Sequence, residues 1–411
     1  VIKILSIGHS EKGGGIQTVF RVNNSISDSN VKVIKAFHSD DESIADIDLN
    51  RISDYKNPIK KILSYFFIPK NYFGLAKFLK KNKVDIIHIH ASANLSLGIL
   101  FAIKKYKKEA KVVFTSHGYG LACPVYSCYS YGKGSICTDC IKFGKESRVI
   151  KNKCDKRGYI FSTFRYIDFI IRKKVTNNYS LYDCIVTPSE YLQQLLIKSR
   201  HKFKNIKVVP NPIEMAPNIG DYDSKRNLIT FVGRFSKEKN VDMLIDSFAQ
   251  IIKDDNLSNL KLNILGDGPE KEYYFKKIKE NGIESKVFIS NKFLDRPELE
   301  KLLVESKVLV LPSVSPETFG LVLFEGVRYR LIPVSLNIGA QSENISKLGL
   351  GFLYSENTIE SLNDAIKKAI LNYDKLINRI DQANHIIDKD FSVQSYQDNI
   401  ISTYYEALEN N

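Results

Sequence analysis

Short apolar runs alternate along this chain with segments whose apolar residues recur every three or four positions. That is the pattern of strands feeding amphipathic helices. Residues 1–7 alternate apolar and polar and end at Gly8–His9, and residues 16–24 read as the helix that follows. Residues 84–90, 111–118, 183–189 and 206–210 repeat the strand signal in the first half. Residues 229–233, 287–290 and 308–311 repeat it in the second half, with an amphipathic helix expected over 241–252. Such alternation predicts parallel sheets covered by helices, an α/β class. At 411 residues the chain exceeds one core and suits two domains of about 200 residues each. Pro210–Asn211–Pro212 breaks regular structure, and a polar stretch, 218–227, comes soon after. The expected division is therefore 1–212, 213–391, and a final helix within 392–411 that carries Tyr396, Ile400, Tyr404 and Leu408 on one stripe.

Charged residues collect where strands are expected to end. Glu317 and Glu325 are separated by seven mostly apolar residues, after the run 308–311 and the turn residues Pro312, Ser313 and Pro316. A strand, turn and helix in that order put the helix N-terminus at the carboxyl end of a parallel sheet, where open α/β sheets bind ligands. Free N–H groups and the helix dipole attract anions there. Glu317 is expected just outside the helix and Glu325 about two turns in, roughly 12 Å further along the axis. A carboxylate at that place repels phosphates, so Glu317 suits neutral hydroxyls beside them. Upstream, a strand ends at Gly233–Arg234, and Lys239 lies five residues on. The planar fork of an arginine and the point charge of a lysine together suit a diphosphate. Gly266–Asp267–Gly268–Pro269 is a turn between the two places.

Gly233–Arg234, Lys239, the Gly-x-Gly-Pro turn and the two glutamates stand in the order in which the GT-B glycosyltransferases of family 4 carry them. The chain resembles that family of retaining, nucleotide-sugar-dependent enzymes over about 90 residues of close motif correspondence. The resemblance implies two doubly wound Rossmann-like domains facing each other across a cleft, the first binding the acceptor and the second the nucleotide sugar, with the C-terminal helix crossing back to the first. It implies transfer of a hexose from a nucleoside diphosphate sugar, UDP foremost, to a hydroxyl of a glycan or lipid-linked glycan, as in bacterial surface polysaccharide synthesis. Arg234 and Lys239 would take up the charge of the leaving diphosphate. Glu317 and His117 would contact the donor sugar, and Glu325 the ribose. Gly14 and Gly15 of the triple glycine would approach the phosphates. The backbone of Phe319, Gly320 and Leu321 would hold the distal phosphate or sugar, and that of Lys292 and Phe293 the base. Side-chain cations do the electrostatic work, so no catalytic metal is expected.

Two departures stand out. Asn240 replaces the usual Gly after the lysine, and Asn tolerates the same turn. Arg330 stands where a Gly usually precedes Pro333, and its bulk bears on the helix end. A nucleotide-sugar epimerase of the same fold and a binding subunit without turnover are the rival readings. A glycoside hydrolase using Glu317 and Glu325 is disfavoured, because its carboxylates must flank a bond at about 5–9.5 Å.

Charge changes the picture in the first half. Residues 1–215 hold 36 Lys/Arg against 17 Asp/Glu, an excess of +19 within a net +14. No helix-turn-helix, zinc-finger or RNA-recognition signature accompanies it, so nucleic acid is not an expected partner. An anionic membrane surface fits a one-sided positive field better. Lys56, Lys60, Lys61 and Lys70 interleave with Ile62, Leu63, Phe66 and Phe67, which either insert shallowly into lipid or pack in the core. No run reaches eighteen apolar residues, and residues 1–8 lack a leader's cleavage pattern. The expected location is cytoplasmic, peripheral on the inner face of the membrane.

Five of six cysteines fall within an insertion at about 121–156. Cys123, Cys128, Cys137 and Cys140 have spacings that suit a structural zinc, with Cys154 in reserve. Reduced packing thiols, a disulfide or a redox role are the alternatives. The resembling family has a subset with a similar insertion. His88 and His90 share one face of their strand and raise a two-histidine metal site as a weaker alternative.

Overall fold

The computed structural model describes residues 1–11, 15–39, 44–90, 95–214, 226–290, 292 and 294–409. The chain divides into two compact units, one of Val1–Lys133, Cys137–Pro212 and Val393–Asn411, the other of Gly134–Ile136 and Ile213–Ser392.

In chain order the strands of the first half are β1 (Ile2–Ile7), β2 (Val31–Phe37), β3 (Ile47–Asp48), β4 (Ile86–Ile89), β5 (Lys111–Thr115), a short ribbon of β6 (Tyr129–Ser130) and β7 (Ser135–Ile136), β8 (Cys184–Thr187) and β9 (Ile206–Val208). Seven of them form one sheet in the order β3-β2-β1-β4-β5-β8-β9. All pairings described in this sheet are parallel, with Ile4 opposite Ile86 and Ile7 opposite Ile89. Ile4, Leu5, Ile86 and Ile87 are wholly buried, as continuous apolar strands covered on both faces must be. The helix Val393–Glu409 belongs to this unit, and Tyr396, Ile400 and Tyr404 pack with Val19, Val22 and Val186.

The other unit has β10 (Leu228–Val232), β11 (Lys261–Leu265), β12 (Val287–Ile289), β13 (Val308–Leu311), β14 (Ile332–Leu336) and β15 (Phe352–Tyr354). They form a parallel sheet in the order β12-β11-β10-β13-β14-β15. Each unit is therefore a Rossmann-like sheet, as the alternation predicts. In each, the strand order reverses beside the first strand, between β1 and β4 and between β10 and β13. The carboxyl ends there are the crevice where such sheets take ligands.

The helix expected over 241–252 is present as Val241–Ile251, and Lys239 ends a turn of 3-10 helix, Lys237–Lys239, just before it. Glu317 lies outside the helix as expected, but the helix Leu321–Arg328 starts only after Gly320, so Glu325 is one turn in rather than two. The axial estimate of their separation therefore does not apply. Ile62 and Leu63 are not core residues. The helix Pro58–Phe66 leaves Ile59, Ile62 and Leu63 exposed, the first of them 70% exposed. Its other side meets the helix Tyr159–Val175, where Tyr65 stands edge-on to Phe164 at 4.8 Å. That helix brings Tyr159, Ile160 and Ile167 to the surface, with Ile160 78% exposed. Among the described residues no helix is long and apolar enough to cross a membrane.

Both departures at the turns have a structural account. Asn240 takes the left-handed conformation at φ 54° and ψ 35°, the place glycine fills at least cost. Arg330 is also left-handed, at φ 63°. Its N–H bonds to the carbonyl of Val327 and that of Leu331 to Gly326, both at 2.9 Å, closing the helix end as a Schellman turn. The guanidinium then bonds Asp381 at 2.5 Å and its carbonyl accepts from the Tyr373 hydroxyl at 2.9 Å. Those contacts hold a side chain where a glycine would sit without strain.

Candidate active site

The loops after β10, β11 and β13 are built against one another. Gly266 at φ 151° leaves β11 so close to the preceding turn that an added Cβ would meet the carbonyl oxygen of Gly233 at 1.9 Å. A Cβ on Gly268 would meet that of Phe235 at 2.3 Å. Phe235 N–H bonds Asp267 and Glu270 N–H bonds Phe235, at 2.9 and 3.1 Å. The two glycine motifs are thus one construction, a backbone-to-backbone contact between neighbouring strand ends. Ser290 at the end of β12 completes it, bonding both the N–H and the carbonyl of Gly266 at 2.8 and 2.7 Å.

The β13 loop is tied to the same place. Val314 N–H bonds the carbonyl of Glu238 at 3.0 Å. Lys239 Nζ and Glu317 Oε1 form a direct ion pair, both half-buried, and Ser313 donates to the same carboxylate oxygen at 3.3 Å. The Glu317 N–H is held at 2.8 Å by Gln341 Oε1. Arg234 stands exposed at the end of β10, with no hydrogen bond or ion pair to another described residue. The helix Leu321–Arg328 opens on Gly320 at φ 84°, and no side chain caps it. Its first N–H groups lack an intrahelical acceptor, as at any helix start. Phe319 is buried against Phe324, and its carbonyl accepts from Asn344 at 2.6 Å.

Glu325 lies one turn into that helix with Arg296 at 3.6 Å. Burial pushes its carboxyl upward, against the pull of that arginine. Lys292 is exposed and bonded to Glu298 at 2.6 Å, a partner that holds its ammonium charged. Phe293 lies outside the described residues, as do Gly13 and Gly14, while Gly15 at φ 63° precedes the helix Ile16–Asn24.

In the first unit His117 lies two residues beyond β5, half-buried and stacked at 5.8 Å on His90. Burial and neighbouring His9 push its pKa down to about 3. His88 is not available to a metal. Its ring nitrogens bond Tyr404 Oη and Thr115 Oγ1, both at 2.7 Å.

Residues 13–216 match the family model described as Glycosyltransferase Family 4, and residues 214–385 match Glycosyl transferases group 1. The chain is a GT-B glycosyltransferase. An uncharacterized 41.2 kDa protein in the cps region of Klebsiella pneumoniae is 29% identical over 287 residues, which are 67% of this chain and 66% of that protein. The glycosyltransferase therefore spans just under two thirds of that relative. A UDP-Gal:alpha-D-GlcNAc-diphosphoundecaprenol alpha-1,3-galactosyltransferase of Escherichia coli is 22% identical over 88% of this chain and 90% of its own. The crystal structure of Anabaena Alr3699/HepE in complex with UDP has a TM-score of 0.66 at 16% identity, covering 98% of this chain and 99% of that one, a likeness of fold.

In this glycosyltransferase the structure joins Lys239 to Glu317, a pairing that sequence reasoning missed because 78 residues separate them. Arg296 and Gln341 were missed as well. Arg296 carries the only hint, since Asp295 and Glu298 form a capping box around the start of its helix. The cysteines are gathered but not arranged as a ligand set. The Cys137 N–H bonds the Cys128 carbonyl at 2.8 Å, and a hydrogen bond from the Cys128 thiol pulls that of Cys123 down to about 7. Burial and the neighbouring thiols push Cys128, Cys140 and Cys154 upward. Among the described residues no group of three or more His, Cys, Asp or Glu has the geometry of a metal site.

Proposed function

We propose that this glycosyltransferase moves a hexose from a nucleoside diphosphate sugar, UDP foremost, to a hydroxyl of a lipid-linked glycan with retention at the anomeric carbon. Its setting is bacterial surface polysaccharide synthesis. The observation that carries this reading is Arg234, exposed and without a partner among the described residues, on the β10 loop that also carries Lys239 of the Lys239–Glu317 pair. The Escherichia coli relative is named for a UDP-sugar donor and a diphosphoundecaprenol acceptor, and the Anabaena structure holds UDP.

The pair suggests how binding is coupled to positioning. With no donor bound, Glu317 balances the Lys239 charge and holds its ammonium at the strand end. An entering diphosphate offers Lys239 more negative charge than one carboxylate does. Glu317 is then released to accept hydrogen bonds from donor sugar hydroxyls. Arg234 and Lys239 together stabilise charge on the departing diphosphate, the charge that grows in the transition state. Glu325, aimed by Arg296, takes the ribose hydroxyls. The N–H groups of Phe319, Gly320 and Leu321 take the distal phosphate or sugar. Lys292 and Phe293 frame the base, Gly14 and Gly15 approach the phosphates, and His117 contacts the sugar. No catalytic metal is required by this scheme. The assay is a panel of UDP- and other nucleoside diphosphate hexoses, read as nucleotide release and, by NMR, as the anomer formed. Turnover of none of them, or an inverted product, defeats the reading.

Two finer parts belong with it. The thiols of Cys123, Cys128 and Cys140, all buried, and of half-buried Cys137 would close on one structural zinc by side-chain rotation, the low pKa of Cys123 favouring a thiolate ligand. Elemental analysis of protein purified without added metal decides this. Zinc-free protein that is folded and active leaves the cysteines as packing residues. The exposed Ile59, Ile62, Leu63 and Ile160, flanked by Lys56, Lys60, Lys61 and Arg157, would rest on anionic lipid beside the acceptor. Salt-sensitive pelleting with anionic but not neutral vesicles is expected. Indifference to both vesicle types favours a soluble acceptor.

A further inference from the structure

We propose that a cavity in the first unit, between the end of β5 and the helix Tyr159–Val175, is a subsite for one neutral sugar ring, with His90 as its hydrogen-bonding contact. The choice of a sugar rests on the glycosyl transfer proposed above; the site itself rests on the following geometry.

The cavity has a volume of about 140 Å³. At about 30 Å³ of liquid per water it has room for roughly five waters, more than one imidazole needs for its own hydration. His90 lines it, only 2% exposed, and neither ring nitrogen has a hydrogen-bond partner among the described residues. A buried polar side chain left in that state needs an explanation, because such groups in folded proteins almost always find partners. The neighbouring rings do not supply one. The Tyr404 hydroxyl donates to Asn23 Oδ1 at 2.9 Å, so His88 Nδ1 donates to it, and His88 Nε2 is left to accept from Thr115. His88 is thereby saturated, its ring centre only 3.9 Å from that of His90.

The remaining walls select the ligand. Phe114 and Tyr182 stack on each other at 4.7 Å, and with Tyr126 they offer aromatic surface to the C–H face of a sugar ring. The one cation in the lining, Arg172, is already balanced by Asp168 through contacts of 2.9 and 3.1 Å. An anion therefore finds no unbalanced charge here. Burial and the facing His88 and His117 keep His90 neutral. A neutral imidazole has one donor and one acceptor, which matches hydroxyls that do both.

The test uses the full-length chain and methyl glycosides of glucose, galactose, N-acetylglucosamine and N-acetylgalactosamine, with pyrophosphate as the anionic control. At least one glycoside should shift the imidazole 15N resonances of His90 in the unaltered protein and leave those of His88 in place. His90→Phe should weaken that glycoside at least tenfold, while Arg234→Ala should leave its binding intact and weaken UDP. The 15N measurement needs no variant, so a failure of His90→Phe to fold does not block it. The proposal is overturned if no glycoside moves His90, if His90→Phe binds normally, or if pyrophosphate rather than sugar produces the shift. Failure of glycosyl transfer shows separately, as lack of turnover on every nucleotide sugar.

Discussion

The two units share one strand order but place their chemistry differently. In the second, charged residues stand at the strand ends in the open, with Arg234 exposed and Lys239 paired with Glu317. In the first, the comparable strand ends carry histidines that their surroundings keep neutral, His88 in β4 and His90 after it buried, and His117 beyond β5 half-buried. The lesson is one of legibility. Charge that serves an ionic ligand has to be presented by short motifs at loop ends, and such motifs can be read in sequence. Recognition by neutral groups depends on who is buried against whom, and that appears only in three dimensions.

The comparison can be broken hardest with acid. The chain has seven histidines, and His385 is the one in the second unit. Burial lowers the folded pKa of His88 and His117 to about 3 each, against an unfolded value of about 6.5. The unfolded chain therefore binds protons that the folded unit refuses. Stability contributed by the neutral rings is complete above pH 6.5 and declines as pH falls toward 3. At pH 5 those two rings cost on the order of 4 kcal/mol between them. Hydrogen exchange should find the first unit opening in acid before the second. Simultaneous opening of both would contradict the assignment of buried neutral histidines.

Backbone contact in the second unit gives the next effect. Gly266→Ala puts a Cβ 1.9 Å from the Gly233 oxygen, at a φ that only glycine adopts readily. A loss of about 3 kcal/mol or more is expected, read as a lowered denaturant midpoint. A near-normal midpoint would mean the strand-end contact is looser than described.

How much was legible follows the same division. Strands such as 308–311 and helices such as 16–24 were plain because apolar periodicity is a local property of the chain. The left-handed turn at Asn240 was readable for the same reason, since residue type limits φ. The Glu317–Gly320 loop was not. It has the helical spacing of the residues after it, and Gly320 at φ 84° decides that the helix waits until Leu321. The Lys239–Glu317 pair and the lining of the first-unit cavity required the topology that brings distant loops together. The exposed Ile160 was passed over because its helix, with Phe169 and Val175 buried, has an ordinary amphipathic pattern.

A smaller change sharpens the turn argument. Asn240→Gly should be nearly neutral and Asn240→Ala destabilising by about 1 kcal/mol, because alanine resists the left-handed region. Thermal melts of the two variants compare them directly, and equal melting temperatures would remove the turn from the account.

The central claim is that the β10 and β13 loops of the second unit hold a nucleoside diphosphate sugar through Arg234 and Lys239. Its most direct test is turnover of the preferred nucleotide sugar by Arg234→Ala and Lys239→Ala, with folding checked by circular dichroism. A fall of about 100-fold or more in each, the scale of losing one preorganised charge contact, is the predicted result. Near-normal turnover by both folded variants would contradict it.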